Sequence, residues 1–140
     1  MAYQRKLALE KLKYFNNEFD LYNIKLRKNE YLNKLRNSKA VLSCFGWGEI
    51  CYRDWESVIN RIPLIKPDMS DIITWPNIYL KNESYYSVKW DFSDLEEALE
   101  NIINNEKTTN KILNTALNIH YSIRENNNVN FCKQFDSLLN

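Results

Sequence analysis

Ala40-Val41-Leu42-Ser43-Cys44-Phe45-Gly46-Trp47-Gly48 decides the architecture of this 140-residue chain. Ala40 to Phe45 is a continuous apolar run of strand length. Such a run suits a strand buried on both faces, as in a parallel sheet covered by helices. It ends on Gly46 and Gly48, the two glycines of the chain. An average chain of this length would hold about ten. A helical pattern opens directly after them. Open α/β sheets bind ligands at the carboxyl ends of their strands, where a glycine turn lets backbone amides approach an anion.

The flanking sequence extends this unit in both directions. Upstream, Ala8, Leu12 and Phe15 predict a helix over residues 4–15, with Leu9 beside them. Phe19, Leu21, Ile24 and Leu26 alternate as in a short strand, and Asn29 is placed to cap a helix carrying Tyr31, Leu32 and Leu35. Downstream, a strand is expected at Pro63–Pro67. Then comes a loop over 68–84, with one helical turn near Ser70–Thr74, and a strand at Tyr85–Trp90. Ser93 and Glu96 have the spacing of a capping box for a helix that buries Leu95, Ala98, Leu99, Ile102 and Ile103. A further helix follows Thr108 or Thr109, with Ile112, Ala116, Ile119 and Ile123 on one stripe. Asn126-Asn127-Asn128 is expected to break it before a last helix that packs Phe131, Phe135, Leu138 and Leu139.

Strands alternating with helices at this spacing argue for α/β: a single Rossmann-like parallel sheet flanked by helices, with a helical C-terminus. Residues 1–140 read as one domain, with 106–140 as its C-terminal helical segment. The opening helix needs a sheet beneath it, and doubly wound folds usually place a strand first. The domain is therefore expected to lack its first strand and to be the C-terminal piece of something longer.

Bulk composition removes several functions. Lys plus Arg number 19 against 18 Asp plus Glu, and 14% of the residues are aromatic, too many for a disordered chain. Residues 1–39 hold ten Lys/Arg and four Asp/Glu, whereas residues 67–100 hold two and eight. This pattern reads as complementary solvated faces, not as the basic surface of a nucleic-acid-binding protein. No stretch approaches the ~20 apolar residues of a membrane span. The N-terminus leads into alternating charges, so the expected location is the cytoplasm, including a peripheral place at the inner face of the membrane. Cys44, Cys51 and Cys132 lack metal spacing, and with one histidine in the chain no metal site is expected. Cys44 and Cys51 read as core thiols, and His120, on a stripe with Leu113 and Leu117, as a partly buried packing residue.

The chemistry concentrates after the glycines. Cys51, Trp55, Val58 and Ile62 form an apolar stripe. Glu49, Arg53, Glu56 and Asn60 repeat those offsets two residues earlier, about 200° around a helix of 3.6 residues per turn. An arginine grips a diphosphate bidentately, and a carboxylate one turn on accepts from sugar hydroxyls. The same spacing equally fits a solvated ladder of ion pairs.

A resemblance weighs between these readings. Ser38-Lys39-Ala40-Val41-Leu42-Ser43, Phe45-Gly46-Trp47-Gly48-Glu49, Tyr52-Arg53-Asp54-Trp55-Glu56, Leu64-Ile65-Lys66-Pro67-Asp68-Met69 and Thr74-Trp75-Pro76-Asn77 follow in order. Val88-Lys89-Trp90-Asp91 stands before Asp94-Leu95. Together these blocks, over roughly residues 29–105, resemble the C-terminal nucleotide-sugar-binding domain of bacterial glycosyltransferases of the two-domain GT-B architecture. The likeness is narrower to exostosin-like and group 1 enzymes.

The resemblance implies that Arg53 contacts the diphosphate and Glu56 the ribose or donor sugar. It implies that Gly46 and Gly48 let the loop close over the phosphates, and that Glu49 positions Arg53 or meets the sugar. The spacing departs from the commoner pattern, since six residues rather than seven separate Glu49 from Glu56. Lys66 and Asp68 follow the next strand, a place open to phosphate contacts, but no contact is assigned to them. The implied partners are a nucleotide-diphosphate sugar as donor substrate, with no cofactor, and a glycan or lipid-linked acceptor. Only half of a GT-B enzyme fits in this chain, and no catalytic base is assigned. A separate N-terminal half or self-association is expected to complete it. The alternative is a non-catalytic remnant or partner-binding module that keeps the fold.

Overall fold

The computed structural model describes residues 3–15, 24–46 and 48–139. Helix α1 spans Tyr3–Tyr14 and buries Ala8, with Leu7, Leu12 and Phe15 packed beside it. Helix α2 spans Lys28–Arg36. Its cap is Arg27 rather than Asn29, because the Glu30 carboxylate accepts the Arg27 N–H at 3.1 Å and satisfies one of the first turn's orphan donors. The strand expected at Phe19–Leu26 lies mostly outside the described residues, and 24–26 have no strand structure.

Three parallel strands follow: β1 (Val41–Leu42), β2 (Leu64–Pro67) and β3 (Tyr86–Val88), in the order β1-β2-β3. Val41 pairs with Leu64, and Ile65 with Tyr86. Helix α3 (Tyr52–Ile59) makes the first crossover. The second is the connection 68–85, which carries a turn at Ser70–Asp71 where a helical turn was expected. β1 and β3 are shorter than the apolar runs that contain them, because chain pairing stops before apolar burial does. Cys44, beyond the end of β1, is still buried.

β2 sits in the middle and is buried along its whole length. Its side chains alternate between two cores, as the period of a strand requires. Ile65 joins Ala8, Tyr86, Leu95, Ile102 and Ile112 on one face. Leu64 joins Met69, Ile78, Tyr79 and Tyr85 on the other, where Trp55, Ile119 and Ile123 pack against them.

Helix α4 spans Leu95–Asn104. The capping box expected of Ser93 and Glu96 does not form: the helix is capped at Asp94, whose carboxylate accepts from Lys89 N–H at 2.8 Å. Ile103 is exposed, against expectation, because the α4 stripe through Leu95, Ala98 and Ile102 leaves it on the outer side. Helix α5 runs unbroken from Glu106 to Leu139, through Asn126–Asn128. It contributes Ile112 to one core and Ile119 and Ile123 to the other, and the helix cost of asparagine is mild enough for the run to stay helical. The side-chain packing expected of Phe131, Phe135, Leu138 and Leu139 lies outside the described residues. No helix among the described residues is long and apolar enough to cross a membrane.

In a chain with so few glycines, left-handed backbone falls on Arg61, Asn82 and Phe92, at φ of 55°, 55° and 58°. Arg61 closes α3, where Ile62 N–H returns to Ser57 O at 3.0 Å. Asn82 aims its Oδ1 at the Ser87 N–H, 3.0 Å away, and so occupies a donor of edge strand β3.

Candidate functional site at the carboxyl edge of the sheet

All three strands release their loops at one edge. The Phe45 ring, after β1, meets the Trp90 ring, after β3, edge-on with centroids 5.2 Å apart. The Trp90 indole N–H donates to Asp68 O, after β2, at 2.9 Å. One exposed tryptophan thus ties together the ends of all three strands.

The glycine turn opens between Phe45 and α3. Gly46 N–H donates to Gly48 O at 3.1 Å, and neither glycine has positive φ. The left-handed backbone that usually demands glycine is therefore not what selects these two. A Cβ at Gly46 would meet Arg5 Nη2 at 3.6 Å and Cys51 Sγ at 3.8 Å, while one at Gly48 would meet nothing within 4 Å. Both are ordinary or open surroundings.

Glu49 is placed differently from the sequence expectation. α3 begins at Tyr52, so Glu49 is exposed on the bend that follows Gly48 and shares no helix face with Arg53 and Glu56. Three residues delay the helix because the Asp54 carboxylate caps it: Asp54 Oδ2 accepts the Cys51 N–H at 3.1 Å. Arg53 and Glu56 are brought together, both half-buried, on the first two turns of α3. Between α2 and α3 the Tyr31 hydroxyl donates to Glu56 Oε2 at 2.8 Å. Burial, that bond and the Glu56 charge push the Tyr31 pKa up to about 12, against an opposing pull from Arg53. One oxygen of Glu56 is thus engaged by the protein itself.

Lys66 is not available to a phosphate. It lies within β2, fully buried, with its Nζ 3.0 Å from Asp54 Oδ2, and Asp54 is fully buried too. The Tyr79 hydroxyl donates to the same oxygen at 2.6 Å, and burial, then the Asp54 charge and bond, drive its pKa far up. The ammonium also faces the rings of Phe45 and Tyr79, at 5.1 and 5.4 Å from their centroids. Asp54 Oδ1 and Ser43 Oγ are buried without a hydrogen-bond partner among the described residues. This polar knot, directly beneath the glycine turn, went unread in the sequence. Its signal was present: Asp54 shares the stripe Cys51, Trp55, Val58, and Lys66 interrupts an apolar strand, so each implies an opposite partner.

Asp68 is held by Lys81, from which it accepts a hydrogen bond, and by the Ser70 hydroxyl and N–H at 2.6 and 3.0 Å. Partial burial raises its carboxyl pKa, but these bonds and the Lys81 charge outweigh it and bring it to about 2. A carboxylate so placed repels phosphate, so Asp68 is a strap for the β2–β3 connection. Of the thiols, Cys44 is buried, Cys51 half-buried and Cys132 exposed, all free. His120 is half-buried beside Trp55, with ring centroids 5.8 Å apart. No group of three His, Cys, Asp or Glu that could hold a metal occurs among the described residues.

A separate cleft of about 330 Å³ lies between β3, α4 and α5, lined by Asn82, Ser87, Asp94, Glu97, Asn101 and Thr108 among others. It has two carboxylates and no cationic side chain, the wrong sign for a diphosphate, and none of the sequence-predicted residues reaches it. Comparison with protein-family models, with curated proteins and with solved structures finds no match for this chain.

Proposed function

We propose that this chain is the donor-binding domain of a glycosyltransferase of GT-B type, holding a nucleotide-diphosphate sugar at the carboxyl edge of its sheet. The observation that carries this reading is Arg53: half-buried in the first turn of α3, beside the glycine turn, with no carboxylate within ion-pair distance among the described residues. Its polar contact is the Tyr31 hydroxyl, a neutral group, so the half-buried guanidinium still favours the arrival of an anion. The ordered blocks that resemble glycosyltransferases support the same assignment.

In the transfer, the bond from the sugar's anomeric carbon to the diphosphate oxygen breaks. A hydroxyl of the glycan or lipid-linked acceptor forms the new bond and gives up its proton. The departing diphosphate gains negative charge, and Arg53 stabilises it as that charge develops. Glu56 keeps its second oxygen for a ribose or sugar hydroxyl while Tyr31 holds the first. Gly46 and Gly48 present no Cβ at their two positions of the turn where the phosphates approach.

A non-catalytic, partner-binding role is favoured by a different observation. Ile50, Ile73, Trp75 and Trp90 are exposed on the connections that leave the strand ends, and Ile73 is wholly so. Calorimetric titration with uridine, guanosine and adenosine diphosphate sugars separates the two. The donor reading expects at least one to bind, and Arg53→Ala to weaken it by at least about 2 kcal/mol, roughly thirtyfold in Kd. Absence of binding by the wild type to the whole panel favours the partner-binding role. Equal binding by Arg53→Ala removes Arg53 from the site.

A further inference from the structure

We infer that Arg5 of α1 is a second diphosphate-binding residue, closing over the Gly46 turn from the side opposite α3 to form a two-arginine clamp with Arg53. This inference rests on the donor-binding reading and assigns to that site a residue that the glycosyltransferase resemblance, confined to roughly residues 29–105, does not reach.

Four observations converge on it. First, α1 is fastened to the turn: Gln4 Oε1 accepts the Phe45 N–H at 2.7 Å, across 41 positions of sequence. Second, that fastening brings Arg5 Nη2 to 3.6 Å from where a Gly46 Cβ would stand. Third, Arg5 has no carboxylate within ion-pair distance among the described residues, whereas its neighbour Lys6 is paired with Glu10 at 3.9 Å. Fourth, neither the backbone angle nor the packing requires glycine at position 46. A position free of both usual reasons for being glycine is open to the close approach of a ligand.

The electrostatics agree. Burial raises the pKa of the Cys44 thiol at the end of β1, and the charges of Arg53, Arg5 and Lys66 each oppose it. Three cations from α3, α1 and β2 therefore act on one point, and among the described residues Lys66 alone of the three has an ion-pair partner, Asp54. Two guanidiniums without an ion-pair carboxylate among the described residues, one on α1 and one on α3, would suit the two phosphates of a diphosphate, with forked donors facing forked acceptors. The exposed Glu49 carboxylate lies on the same bend and opposes the anion, which makes the second arginine more necessary.

The test is calorimetric titration of the full chain with inorganic pyrophosphate, and with orthophosphate in parallel, at low ionic strength. Arg5→Gln and Arg53→Gln are each expected to weaken pyrophosphate binding tenfold or more. Lys6→Gln, which removes the same charge from the same helix, is expected to change it less than twofold. Orthophosphate, too short for both arginines, is expected to bind at least tenfold more weakly than pyrophosphate. Thermal melts of the three variants check that each remains folded. Wild-type affinity in Arg5→Gln, with Arg53→Gln weakened, overturns the clamp and leaves the donor reading standing. Equal losses in Lys6→Gln and Arg5→Gln overturn it as well, since they report general charge. If the wild type binds neither pyrophosphate nor any donor sugar, the donor reading falls and the clamp with it.

Discussion

At the scale of single residues, the buried pair of Asp54 and Lys66 is the strongest local commitment of the site. Each is fully buried, 3.0 Å apart, and Tyr79 and the Cys51 amide share the same carboxylate oxygen. Removing one partner of such a pair leaves an uncompensated charge in the core. Lys66→Met is expected to lower unfolding free energy by about 3–5 kcal/mol in urea denaturation. Adding Asp54→Asn should recover part of the loss, and a fully additive double variant would show the pair to be uncoupled. Gly48 behaves in the opposite sense. With ordinary φ and open space around its Cβ position, Gly48→Ala is expected to leave stability unchanged or raise it by up to about 1 kcal/mol, through loss of unfolded-state freedom. A clear destabilisation in the same assay would mean that the turn uses conformations closed to alanine. The sequence made Gly46, Arg53 and Glu56 visible by spacing and resemblance. It hid Asp54, because a capping carboxylate looks like one more helix charge until its stripe is followed inward.

At the scale of elements, the three parallel strands and the helices around them were legible, because continuous apolar runs and stripes of period 3.6 carry their own signal. Caps and boundaries were not. Asp94 displaced Ser93 at α4. Arg27 displaced Asn29, and α3 started late enough to leave Glu49 on a bend, since Glu30 and Asp54, one turn ahead, accept the N-cap N–H and fix where those two helices begin. The β2–β3 connection has no regular element over most of its length and depends on discrete ties. Asp68 supplies one, through Lys81 and Ser70. Its carboxyl is held at about 2, below its usual value of 3.8, so the stabilisation is complete above about pH 4 and lost as pH falls through about 2. Wild type is therefore expected to lose more stability than Lys81→Met between about pH 5 and about pH 2 in urea unfolding. The two variants losing stability in parallel would show that Lys81 does not hold the carboxylate ionised.

At the scale of the whole molecule, α5 is the organising helix. It reaches both cores, which is why a chain with a three-stranded sheet still buries β2 completely. The segregation of basic residues before position 40 and acidic residues after position 66 has a structural counterpart. α1 brings Arg5 to the glycine turn, while Asp94 and Glu97 line the cleft between β3, α4 and α5. Among the described residues, Arg5 and Arg53 stand without an ion-pair carboxylate near the carboxyl edge, away from the carboxylates of that cleft. The most direct measurement is a map of backbone amide shifts in labelled protein titrated with uridine, guanosine and adenosine diphosphate sugars. The account predicts that at least one donor shifts a contiguous set from Phe45 to Arg53 together with the first turn of α1. Shifts confined to Ser87, Glu97, Asn101 and Thr108, or no shifts with any donor, would contradict it.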